Sequence, residues 1–104
     1  MSGYGAALAL TLAVEVPIVA AFFPGRRLAM AALAAAATTA THLFMNFVLP
    51  GLLPPGAWLL TGEAVATVAE AAAYALATRN LPRALVASGL ANLASFLAGL
   101  WLLA

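Results

Sequence analysis

Apolar residues run through this chain in four long blocks, each closed by helix breakers or charges. The first block covers about 4–23 and stops at Pro24-Gly25-Arg26-Arg27. The second ends at Pro50-Gly51, with Pro54-Pro55-Gly56 just beyond, and the third ends at Arg79-Asn80. Pro82 opens the fourth, where a missing amide donor costs nothing because the first helical turn has no use for it. A helix rising 1.5 Å per residue needs about 20 mostly apolar residues to cross a bilayer. The pattern therefore predicts transmembrane helices over 4–23, 28–49, 57–78 and 82–103. Loops this short make consecutive helices antiparallel. The expected fold is all-α: a four-helix transmembrane bundle, up-down-up-down, forming one integral membrane domain over residues 1–104. The first block is not read as a cleaved leader, because it lacks a positive n-region and carries Glu15 and Pro17 in its middle.

Composition sharpens this picture. Of 104 residues, 66% are hydrophobic and 7% charged, against about 25% charged in an ordinary soluble domain. Too little polar surface remains to cover a water-soluble globule. Cysteine is absent, which excludes disulfides, thiolate metal sites and cysteine nucleophiles. Four arginines cannot build a phosphate-binding surface, so nucleic acid is not an expected partner.

The placement of the charges matters more than their sum. Arg26, Arg27, Arg79 and Arg83 all sit beside helix breakers, whereas Glu15, Glu63 and Glu70 all lie inside apolar blocks. Both arginine-bearing loops are expected to be cytoplasmic by the positive-inside rule, with both termini and the Pro-Gly-rich central loop outside. The same imbalance argues against an antiparallel dual-topology dimer. The expected location is the cell inner membrane.

Residues three, four and seven apart share a helix face. Helix 1 then carries a stripe of Tyr4, Leu8, Thr11 and Glu15; helix 2 carries Thr38, His42 and Asn46. Helix 3 carries Glu63, Thr67, Glu70 and Tyr74; helix 4 carries Ser88, Asn92, Ser95 and Gly99. A charge at mid-bilayer costs about 2.5–3.5 kcal/mol, so the four stripes should face one another. Ala91, Ser95 and Gly99 are small enough to let backbones approach. Counting rise from the outer side, Asn46 lies roughly 5 Å deep, His42 and Glu63 roughly 10 Å, and Glu70 roughly 20 Å. That level places His42 and Glu63 in direct contact. Glu15, with Asn92 and Ser95, is expected roughly 12–16 Å deep.

Three intramembrane carboxyls with one imidazole as their only basic neighbour cannot all be charged cheaply. At least one is expected to carry a proton unless a cation is bound. The candidate ion, proton or ligand residues are thus Glu15, His42, Asn46, Glu63, Glu70 and Asn92. Glu15, His42, Glu63 and Glu70 also form an alternative metal set for a divalent iron, manganese or zinc ion, although the Glu-x-x-His pair of di-iron bundles is absent. Pro17 frees the Ala13 carbonyl, either as a plain kink or as an oxygen ligand near Glu15. Trp58 and Trp101 read as interface anchors, with a Trp58–Tyr74 ligand cage as the alternative. No Gly-x-Ser-x-Gly elbow accompanies His42, so an enzyme is not the expected reading.

In size, helix count and the Ala13-Val14-Glu15-Val16 segment the chain resembles small multidrug-resistance exporters, whose essential membrane glutamate lies in helix 1. It departs from them in lacking a glycine-rich helix 3 and in carrying His42, Glu63 and Glu70. It resembles more closely a loosely defined group of uncharacterised small bacterial four-helix membrane proteins. That likeness is carried by Glu15-Val16-Pro17, Thr41-His42 through Asn46, Glu63 through Glu70, and Ala91-Asn92-Leu93-Ala94-Ser95 through Gly99. It implies a shared fold and no activity. The expected function is proton- or cation-linked transport or binding, the alternative being an accessory structural subunit of a larger membrane complex. Expected partners are the lipid bilayer and either further copies of the chain or other membrane subunits.

Overall fold

Pro24-Gly25 and Pro50-Gly51 close the first two helices, and Arg79 closes the third, where the sequence pattern places the breaks. The computed structural model describes residues 3–103, folded as α1 (Gly3–Phe22), α2 (Arg27–Phe47), α3 (Pro55–Thr78) and α4 (Leu81–Leu103). Short 3-10 turns over Pro24–Arg26 and Leu49–Gly51 make the first two corners. Pro54 is extended at φ −65° and ψ 156°, and Pro55 begins α3, because the ring of Pro55 keeps its predecessor out of the helical region. Asn80 opens α4 by accepting a hydrogen bond from the Arg83 amide on its side-chain oxygen at 3.2 Å. The bounds fall within one or two residues of those the sequence predicts.

All four helices are long and apolar enough to cross a membrane. α1 packs on α2, α2 on α3, α3 on α4, and α4 returns to α1. The diagonal pairs, α1 with α3 and α2 with α4, make no close backbone contact. The result is an up-down-up-down ring whose longest dimension is 39 Å, enough for the hydrocarbon core plus part of both interfaces of a typical bilayer.

The bundle is inside out relative to a soluble one. Leu28, Leu60, Val68 and Leu76 are exposed, whereas Glu15 and Glu70 are buried. Two apolar clusters fill the interior. One, at the arginine end, holds Val19, Phe23, Met30, Ala34, Tyr74, Ala84, Ala87 and Ala91. The other, at the Pro-Gly end, joins Met45, Leu49 and Ala66. The glycine that sets backbone approach is Gly62, where an added Cβ would stand 2.8 Å from Met45 Cγ and 3.1 Å from Leu49 Cδ1. Gly99, expected to serve close approach, has nothing within 4 Å of that position.

At the arginine end the two hairpins hold each other. Arg26 Nη1 donates to the Ala77 carbonyl at 2.6 Å, and Arg83 Nη1 donates to the Phe22 carbonyl at 2.8 Å. Each arginine caps the C-terminus of a helix in the opposite hairpin, where unpaired carbonyls and the helix dipole favour a cation.

Candidate functional site

The interior polar residues gather about the two glutamates carried by the diagonal helices. Glu15 on α1 accepts from Thr38 Oγ1 on α2 at 3.1 Å, and from Ser95 Oγ on α4. Glu70 on α3 accepts from Thr41 Oγ1 on α2 at 2.6 Å, and from Asn92 Nδ2 on α4 at 2.9 Å. All four carboxyl oxygens therefore have a donor. The carboxyls are also close enough to act directly on each other, and no basic side chain joins them.

These bonds repeat across the bundle. Glu15 takes one donor from its own hairpin, Thr38, and one from the other, Ser95. Glu70 likewise takes Asn92 from its own hairpin and Thr41 from the other. The reciprocal arginine caps follow the same rule. The two hairpins thus bond to each other reciprocally, in the manner of parallel repeats, through the carboxyl network and the arginine caps.

Above the pair is a cavity of about 220 Å³. Glu15, Glu70, Thr38, Thr41, Asn92 and Ser95 line it together with Leu10, Trp58, Leu59 and Leu100. No residue of the arginine-end cluster lines it, so the cavity lies on the Pro-Gly side of that cluster.

Of the six expected site residues, Glu15, Glu70 and Asn92 come together in this network. His42, Asn46 and Glu63 line the same cavity without joining it. The expected His42–Glu63 contact does not form. Asn46 Nδ2 instead donates to the His42 carbonyl at 2.8 Å and lies 3.3 Å from its Nδ1, while the imidazole packs at a tilt against Tyr4 with ring centroids 5.1 Å apart. Equal depth along two helices does not make two side chains face each other. The metal set of Glu15, His42, Glu63 and Glu70 fails for the same reason: among the described residues no three His, Asp or Glu side chains converge as metal ligands would.

Two smaller expectations also change. Pro17 and Ala13 lie on the exposed side of α1, away from the buried Glu15, so the Ala13 carbonyl is not part of the carboxyl site. Trp58 lines the cavity, but Tyr74 is buried in the arginine-end cluster, so the two make no cage. Trp101 is exposed, as an interface anchor would be.

Thr38, Thr41 and Ser95 belong to the site and were not among its expected residues. Thr38 and Ser95 were visible on the polar stripes, whereas Thr41 lies one position off the stripe of α2.

The comparisons with known proteins are silent. No family model, no curated protein and no solved structure matches the chain. Function therefore has to be read from the geometry.

Proposed function

We propose that this chain spans the cell inner membrane and handles a proton or small cation at the Glu15–Glu70 pair, in linked transport or binding. The observation that carries the reading is the position of the pair, at the inner part of an interior cavity, with only hydroxyl and amide donors bonded to it among the described residues. Two carboxyls facing each other in an apolar interior cannot both hold a full charge cheaply. A proton or a cation relieves that cost, and the cavity supplies its path. Parallel repeats with an ion site between them recur in membrane carriers, which gives the symmetric setting the same sense. With both arginine loops cytoplasmic the cavity faces outward. The reciprocal caps of Arg26 and Arg83 then hold the inner end shut, and opening that end would require breaking them.

Proteoliposomes containing the purified chain and a pH-sensitive dye provide the test. The chain is expected to dissipate an imposed pH gradient, and Glu70→Gln is expected to abolish this while keeping helical content and elution volume. Flux no faster than from empty liposomes would refute transport.

A second reading has its own support. With every oxygen of both carboxyls already bonded, the network also locks helix register, as a scaffold subunit requires. That reading expects no flux and stable co-purification of larger membrane partners from the native host. The exposed leucine surface offers room for such partners or for further copies of the chain.

A further inference from the structure

Directly beneath the carboxyl pair lies a group that the network leaves out. Tyr74 is 0% exposed, and among the described residues its hydroxyl completes no well-formed hydrogen bond, although it lies toward Thr38. It stands one turn from Glu70 on α3, beside Thr38, and is near enough to feel both carboxyls. A buried hydroxyl without a partner is costly, so its position against an acidic pair points to a ligand. The hydroxyls of Thr38, Thr41 and Ser95 now donate to the carboxylates. A hydroxyl also accepts, so rotation about each Cβ–Oγ bond would turn its lone pairs toward a cation.

Resting on the reading of Glu15–Glu70 as the ion site, we propose that this cluster binds one hard metal cation through oxygen alone. Glu15 and Glu70 are the anionic ligands, Thr38, Thr41 and Ser95 the neutral ones, and the Tyr74 hydroxyl completes the shell. Oxygen ligands favour hard cations over zinc or copper, which prefer imidazole or thiolate. The sole imidazole, His42, is outside the network and engaged with Asn46. Magnesium sheds water reluctantly, and the cavity offers protein oxygens in place of a retained hydration shell. The site is therefore suited to sodium or calcium.

The test uses the full chain in detergent, exchanged into choline chloride. Sodium, calcium, magnesium and zinc chlorides are titrated at constant ionic strength, with thermal unfolding and radiolabelled sodium or calcium binding as readouts. The expected result is a saturable rise in Tm with sodium or calcium, and about one ion bound per chain at saturation. Glu70→Gln is expected to abolish it. Tyr74→Phe and Thr38→Val are each expected to weaken affinity about tenfold, and Leu76→Ala, on the outer surface of α3, to leave it unchanged. Should Tyr74→Phe fail to fold, Thr38→Val carries the test. Three results would overturn the proposal: no saturable effect of sodium or calcium, zinc binding abolished by His42→Gln in their place, or affinity indifferent to Thr38→Val. Proton flux without any metal effect would remove this inference and leave a proton carrier. Metal binding without flux would remove transport and leave the site.

Discussion

Threonine is the residue type on which this interior turns, because its hydroxyl can serve its own helix or a neighbour. Thr11, Thr67 and Thr78 each donate to the carbonyl four residues earlier, at 2.7–2.8 Å, the local bond that competes with any longer reach. Thr38 instead crosses to Glu15, and Thr41 reaches Glu70 at 2.6 Å while keeping a longer local contact of 3.1 Å to the Thr38 carbonyl. Replacing Thr41 with Val removes the donor to Glu70 Oε2 and leaves a buried carboxyl oxygen unsatisfied. A loss of about 1–3 kcal/mol is expected, measurable by denaturant titration in detergent, while Thr41→Ser stays close to wild type. The glutamates and Asn92 were legible in the sequence, since a polar side chain in a membrane block has nowhere to turn but inward. Thr41 was not, because sequence does not say which threonines bond at home.

At the scale of the element, one tight contact and one strained cap govern stability. Gly62 lets α3 close on α2 over Met45 and Leu49. Gly62→Val is expected to cost about 1–3 kcal/mol by overpacking, whereas Gly99→Ala, in open space, is expected to be neutral; thermal unfolding separates the two. Sequence offered several small residues of equal promise, and only the facing side chains decide which one matters. Arg79 ends α3 in the left-handed region at φ 56°, with its amide bonded to the Ala75 carbonyl at 2.7 Å. A side chain there carries a penalty that glycine avoids. Arg79→Gly is therefore expected to raise stability by about 1 kcal/mol, read from the same unfolding curves.

The whole molecule is two hairpins that exchange bonds at both levels: hydroxyl and amide to carboxyl in the middle, guanidinium to carbonyl at one end. The absence of native cysteine makes its orientation easy to test. Gly25 and Gly51 stand in open space at opposite ends of the bundle. In intact cells an impermeant thiol reagent is expected to label Gly51→Cys and to spare Gly25→Cys until the cells are opened. The reverse pattern would invert the proposed topology and turn the cavity toward the cytoplasm. In Arg26→Gln/Arg83→Gln both caps are lost, and a cysteine at Ala34 in the arginine-end core is expected to react faster in that background than with the caps intact.

Length, breakers and charge placement alone determined the four apolar helices, their alternation and the inward turn of Glu15 and Glu70, because each follows from the rise of a helix and the cost of lone polar groups in an apolar medium. Tertiary structure alone decided that Glu15 and Glu70 share one hydrogen-bond network while His42 turns to Asn46 and Glu63 lines the cavity without a bond into it. Periodicity assigns a residue to a face and a rough depth. The rotation and axial stagger of one helix against the next come from side-chain packing, at Gly62, at Met45 and among the buried alanines of α4, and those contacts are not written in the order of residues along any single helix.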